Sequence, residues 1–291
     1  MLKSMTGFGR AEQTKDDRTV LIEIKSLNGK QLEMNLKMPS LLKSYEFDIR
    51  NAISESLLRG SIDCFITVKQ NGASRPVTIN TDVAKAYYQT IMELSNDLGL
   101  DTSQVLNALL KLPEVVTPAT DVIDDEGWAL VKSTLQEALN NINQHRSEEG
   151  SVLQKDLEER IKNIQINQAE VARLDPARHV KKKEGIKKMM EENVGKDNYD
   201  ANRLEQELIY YIEKIDITEE QVRLTNHCEY FFAILKETEE TKGKKLGFVL
   251  QEIGREINTT GAKAYDATIQ KSVVLMKDEL EKAKEQILNV L

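Results

Sequence analysis

Residues 124–174 read DDEGWALVKSTLQEALNNINQHRSEEGSVLQKDLEERIKNIQINQAEVARL. No proline interrupts the run, and Leu135, Leu139 and Ile142 step by four and three, the spacing of one helical face. The stretch predicts a long helix. Continuing the same seam brings Arg146 and Glu149 to positions where apolar residues are expected, before Leu153 resumes it. Burying a charge costs several kcal/mol by rough estimate unless it is paired. Three readings follow: the two residues pair with each other at i, i+3, the helix frays at Gly150, or this turn faces a polar cavity.

Downstream, the periodicity predicts a shorter helix after Pro176 and further helices near 201–214, 218–237, 244–258 and 263–291. In the last of these, Ile269, Val273, Met276, Leu280, Ala283, Ile287 and Val290 form an unbroken heptad seam. It fits an intramolecular helical hairpin or an intermolecular coiled coil. Upstream, 18–28, 31–39 and 61–70 alternate like strands, and a further strand is expected in SMTGFGRAEQ at the start. Ser40 and Gly60 bracket a helix, and another runs from about Thr81 to Gly99. The order β-β-β-α-β-α suits a small sheet covered by helices on one face. The fold class is therefore α+β. A small N-terminal domain at 1–118, ending in the linker-like LPEVVTP, precedes a long-helical, coiled-coil-like C-terminal domain at 119–291.

Composition agrees. Of 291 residues, 5% are aromatic and 30% charged, a profile of long helices more than of packed sheets. The net charge of −8 argues against an overall basic coat but permits a local positive field. Cys64 and Cys228 match no metal spacing, and three histidines argue against a His-rich zinc site. No apolar secretory segment opens the sequence, no run approaches a membrane span, and a cytoplasmic protein is expected. GFGR near the start is neither a dinucleotide nor a Walker motif.

Chemistry concentrates in two helical stretches. In LGFVLQEIGREINTTGAKAYD (246–266), Leu246, Val249, Leu250, Ile253 and Ile257 form an apolar stripe. Glu252, Glu256 and Lys263 fall along one flank of it, with Phe248 and Arg255 close by. In DITEEQVRLTNHCEYFFAIL (216–235), Glu220, Arg223 and His227 line one flank of a second stripe. Thr218 and Gln221 there match a capping box, and first-turn acids favour a helix dipole, so Glu219 and Glu220 also have a purely structural reading. If the two flanks meet, carboxylates suited to Mg²⁺ or Mn²⁺, an imidazole for proton transfer and guanidiniums for phosphate share one site. That set suits metal-assisted phosphodiester hydrolysis. The basic run RHVKKKEGIKK contributes Arg178, Lys181, Lys182, Lys183, Lys187 and Lys188, and Lys244 and Lys245 add a smaller cluster, as candidate nucleic-acid contacts.

SMTGFGRAE, EIKSLNGKQLEMNLKMP, RGSIDCFITV, HRSEEGSVLQKDL, DITEEQVRLTNHCEYF and GKKLGFVLQEIGREINTTGAK together resemble the motifs of the YicC/YloC family across essentially the whole chain. The resemblance implies a cytoplasmic, stress-associated, metal-dependent endoribonuclease that cleaves structured or small regulatory RNA. It also implies a homo-oligomer, with a hexamer as one candidate assembly. Carried onto this chain, the family's polar signature falls on Glu219, Glu220, Arg223 and His227. In the second motif it falls on Gln251, Glu252, Arg255, Glu256, Asn258 and Lys263, and Arg146, Glu149 and Gly150 match as well. The roles then expected are Glu220, Glu252 and Glu256 as ligands of Mn²⁺ or Mg²⁺, His227 as proton carrier, and Arg223, Arg255 and Lys263 on phosphate. Two departures stand out: Gly247 replaces the family's usual aspartate, and Gly29-Lys30 replaces a His-Arg pair. The alternatives are a non-catalytic RNA-binding adaptor that delivers RNA to another nuclease, and an oligomeric helical scaffold.

Overall fold

The computed structural model describes residues 2–29, 31–70, 77–99, 101–118, 123–195, 200–239 and 241–291; Lys30, of the second departure, lies outside them. Strands β1 (Gly7–Lys15), β2 (Arg18–Leu27), β3 (Leu32–Lys37) and β4 (Gly60–Gln70) form a sheet of order β1-β2-β4-β3. The first three neighbours run antiparallel, while β3 lies parallel to β4. Helix α1 (Glu46–Leu57), entered through a 3₁₀ turn at Ser40–Tyr45, makes the crossover that a parallel pair requires. Period-two alternation puts Val20, Ile22 and Ile24 on the same face as Ile62, Cys64 and Ile66. All six are buried, with Ile49, Ile53 and Leu57 of α1 packed over them. A short excursion follows, with β5 (Val77–Ile79), α2 (Thr81–Leu98), α3 (Val105–Leu109) and β6 (Val116–Pro118). β5 and β6 pair antiparallel, so the expected linker at 112–118 ends in a strand.

Helix α4 runs from Asp125 to Val194, 70 residues and about 105 Å at 1.5 Å per residue. Asp124 caps it by accepting from the Gly127 N–H at 2.9 Å, and Arg18 of β2 holds the same carboxylate at 2.5 Å. Its first third belongs to the sheet: Leu130, Val131, Leu135, Ala138, Leu139 and Ile142 close that core. Gly9 permits the approach, because a Cβ there would lie 2.4 Å from the Ala138 carbonyl oxygen. Further along, Leu157, Ile161, Ile164 and Val171 enter a second core, built with α6 (Thr218–Lys236), α7 (Gly243–Ala264) and α8 (Ala267–Ile287). Thus residues 123–142, beyond the expected boundary after 118, line the core of the sheet.

The sequence predicts an interruption at Pro176, but α4 continues through it. The missing proline N–H frees the Ala172 carbonyl. Both residues lie on the exposed side, where water can satisfy that oxygen. Two other predicted bounds shift: α7 extends past Asn258 to Ala264, and α8 starts at Ala267, which assigns Lys263 to α7. Helix α5 (Ala201–Ile215) lies where expected. The α8 seam from Ile269 to Val290 is buried within the chain, against α4 and α7.

Between the two cores lies the polar turn of α4. Arg146 is 1% exposed and donates to the carbonyls of Ser4 (2.8 Å), Leu57 (3.4 Å) and Arg59 (3.4 Å). Glu149 accepts from the Thr6 hydroxyl at 2.9 Å. These two residues therefore reach to other segments, and each is satisfied there. Gly150 does not fray the helix; it lets the N-terminal segment cross, since a Cβ would lie 2.1 Å from the Leu2 carbonyl oxygen. Leu2 then enters the helical core, Ser4 bridges to Val290, and the Leu291 N–H donates to the Lys3 carbonyl at 3.0 Å.

Candidate active site

Helices α6 and α7 form an antiparallel hairpin, and one contact sets its register. Lys263 Nζ lies 2.8 Å from Glu220 Oε1, joining the last turn of α7 to the first turn of α6. Glu220 is 4% exposed, and its second oxygen is buried without a hydrogen-bond partner. Seven residues along each helix from this pair lie Glu256 (263 − 7) and His227 (220 + 7). A heptad step returns to nearly the same face, so the register set by the ion pair brings Glu256 and His227 to about the same level of the hairpin. Glu256 is 4% exposed and has no ion pair or hydrogen bond among the described residues. His227 is half-buried and likewise without one. Between them and the ion pair, the Thr260 hydroxyl is buried and unpartnered. Thr260 is one turn beyond Glu256, and the same helical count that isolated Glu256 and Lys263 would have found it.

The remaining flank residues turn outward. Glu252 pairs with Arg255 at 3.0 Å, and Arg223 pairs with Glu219 one turn away. Both arginines are exposed. The capping box expected at Thr218 is not used; Asp216 accepts from the Thr218 N–H at 3.0 Å and from its hydroxyl at 2.7 Å. Glu220, Glu252 and Glu256 do not converge, and no three His, Cys, Asp or Glu side chains among the described residues form a metal-holding group. Cys228, next to His227, is buried, and burial, with the Glu229 charge adding, pushes its thiol up to about 12. It is no nucleophile at neutral pH.

The basic run divides. Arg178, expected to face RNA, is instead 3% exposed. Its guanidinium donates to Asp175 (2.8 Å) and to the carbonyls of Ile215 (2.8 Å), Lys263 (3.3 Å) and Ala264 (3.0 Å). It therefore caps the ends of α5 and α7, because five fixed donors suit clustered helix-end carbonyls. Lys181, Lys183, Lys187 and Lys188 are exposed, and Lys182 is half-buried. Lys181 and Lys182 line a 570 Å³ cavity with Tyr211 and Tyr265. At the other end of α7, Lys245 pairs with Glu237 at 2.7 Å, while Lys244 is exposed with no ion pair among the described residues. Lys242 is buried and donates to the Leu235 carbonyl at 3.0 Å, and desolvation lowers its pKa. Gly247 is not sterically required, since a Cβ there would meet nothing within 4 Å.

Residues 2–155 match the family described as "Endoribonuclease YicC-like, N-terminal region", and residues 171–291 match "Endoribonuclease YicC-like, C-terminal". The chain belongs to the YicC-like endoribonuclease family. A protein of Clostridioides difficile (strain 630) named "Probable endoribonuclease YicC" is 32% identical over 298 residues. One of Haemophilus influenzae with the same name is 29% identical over 291 residues. Both alignments span 100% of this chain and 100% of the relative. The Glu256, His227 and Lys263–Glu220 cluster lies in the C-terminal YicC-like match, and Arg146 and Glu149 in the N-terminal one. Both matches reach into α4.

Proposed function

We propose that this protein is an endoribonuclease that cleaves RNA phosphodiester bonds with the help of Mn²⁺ or Mg²⁺. Its substrate is structured or small regulatory RNA, and it works as a cytoplasmic homo-oligomer. The relatives' names support the reaction class. The observation that carries the site is a run of unsatisfied polar groups along the α6–α7 hairpin: Glu220 Oε2 and the Thr260 hydroxyl are buried without a partner, and the Glu256 carboxylate makes no ion pair or hydrogen bond among the described residues. A buried carboxylate oxygen left unsatisfied, as in Glu220, is costly, and with the unpaired Glu256 on the same hairpin it points to a cationic ligand. Its setting suits an ion of the Mg²⁺ type, which keeps several waters and takes only one or two protein carboxylates beside substrate phosphates. Glu256 would hold it, with Glu252 one turn away once released from Arg255. When bound, the ion stabilises charge on the phosphate and lowers the pKa of an attacking water.

The chain's own groups do the rest. Glu220 fixes the Lys263 ammonium, half-exposed at the mouth of the cluster, where it meets a phosphate oxygen. His227 carries a proton to or from the reacting oxygens. Arg223 and Arg255, exposed on the flanks, grip neighbouring phosphates. Lys181, Lys182, Lys183, Lys187 and Lys188 of the α4 end provide the field that draws RNA in.

The test is incubation of a structured RNA with the protein in Mn²⁺, Mg²⁺ or EDTA, beside the His227→Ala and Glu256→Gln variants. Internal cleavage that needs an ion and drops at least about 100-fold in both folded variants is expected. Wild-type rates in Glu256→Gln would overturn the site. Tight, salt-dependent binding without cleavage under any ion would assign the adaptor function instead.

A further inference from the structure

A second cavity, of 470 Å³, lies at the start of α7, where the two cores of the molecule adjoin. Arg59, from the turn before β4, lines it with Thr241, Lys244, Lys245, Phe248 and Glu239. Phe248 is 57% exposed, an unusual place for a phenyl ring one turn into a packed helix. The Lys244 ammonium stands 6.0 Å from the ring centroid. Arg59 is anchored through Nε, which donates to the Gly29 carbonyl at 3.0 Å. Its two terminal NH₂ groups make no hydrogen bond or ion pair among the described residues, and neither does Lys244. Two cations with no ion pair among the described residues therefore share a cavity with an exposed aromatic ring, beside the Glu239 carboxylate. Lys245 is already neutralised by Glu237.

We infer that this cavity is a subsite for one unpaired nucleotide of RNA, its base stacked on Phe248 and its phosphate held between Lys244 and the Arg59 fork. The inference rests on the reading of the protein as an RNA-cleaving enzyme. The volume falls within the range of small-ligand pockets. A planar ring offers stacking to any base, while a guanidinium with two free NH₂ groups matches phosphate oxygens. A base inside a duplex has no face to give, so the subsite selects single-stranded segments. Phe248 precedes Glu256 by eight residues, about 12 Å along the helix. The bound nucleotide thus sits near the cleavage level without being the one cut, and it favours cleavage close to loops, bulges or tails.

Fluorescence anisotropy in EDTA tests this apart from catalysis, with a short labelled single-stranded oligoribonucleotide and a blunt RNA duplex as probes. Phe248→Ala is expected to weaken single-strand binding on the order of 10-fold or more and to leave duplex binding unchanged. Phe248→Trp should restore it. Lys244→Ala and Arg59→Ala should each lower affinity and reduce the log–log salt slope by about one. Equal single-strand binding by wild type and Phe248→Ala overturns the subsite and leaves the endoribonuclease reading intact. A change in oligomeric mass of Phe248→Ala by light scattering also overturns it, assigning the ring to a subunit contact. No binding of either RNA by wild type overturns both readings.

Discussion

Arg146 and Glu256 are both charged, both on helices that build a core, and both nearly inaccessible to water. Their surroundings are opposite. The Arg146 guanidinium is satisfied by three carbonyls from two separate segments, and it closes the joint between the sheet and the helical core. Glu256 has no partner among the described residues. Arg178 and Lys242 belong with Arg146, since each caps helix-end carbonyls. Glu220 stands between the two kinds, with one oxygen paired to Lys263 and the other orphaned. Burial alone does not mark a functional charge. An inventory of partners does, because a satisfied charge holds structure while an unsatisfied one costs stability unless a ligand completes it.

The comparison breaks most visibly at Arg146. Arg146→Ala strands buried carbonyls and opens a cavity, so chemical denaturation should show a loss of roughly 3–5 kcal/mol. A loss below about 1 kcal/mol would mean the joint does not depend on it. Lys263→Met should cost less, about 1–3 kcal/mol, because Lys263 keeps some solvent and screening. Adding Glu220→Gln should recover part of that loss, and a double-mutant cycle with no coupling would remove the pair as the hairpin's register pin.

A smaller effect is set by pH. Burial alone would raise the Glu279 carboxyl, but hydrogen bonds from Asn163, Lys282 and Arg160 outweigh it and hold the pKa below the usual value of 4.5. A depressed folded pKa means stability that is full above the unfolded value and lost as pH falls through the folded one. The α4–α8 contact should therefore weaken below about pH 4.5, and Glu279→Gln should flatten that acid limb of the stability profile. An unchanged limb would show the network to be idle. Smallest of all, Arg223→Ala and Arg255→Ala remove exposed one-turn ion pairs and should shift stability by no more than about 0.5 kcal/mol. Any larger shift would place those arginines with the structural charges.

Much of the fold was legible from periodicity. The alternation in β2 and β4 marks the buried sheet face, and the α8 seam marks its packed side, because each pattern repeats within one element. What escaped depends on contacts between distant segments. Arg178 looks like its lysine neighbours in sequence, yet its partners are carbonyls at 215, 263 and 264. Pro176 reads as a stop, and only the exposure of Ala172 shows why the helix can pass it. In the candidate site, helical spacing isolated Glu220, His227, Glu252, Glu256 and Lys263 together. It could not separate Glu256 from Glu252, since the packing of α7, set by its register with α6, buries one turn and leaves the other on the surface. Arg59 had no local signal; tertiary structure alone brings it to Phe248.

The most direct test is the unfolding free energy of Glu256→Gln in EDTA, measured against wild type. A carboxylate that makes no ion pair or hydrogen bond should be no loss to the apo protein, so the variant should equal or exceed wild-type stability. A variant less stable than wild type by more than about 1 kcal/mol would show that Glu256 has a structural partner, and would take the unpaired carboxylate out of the candidate site.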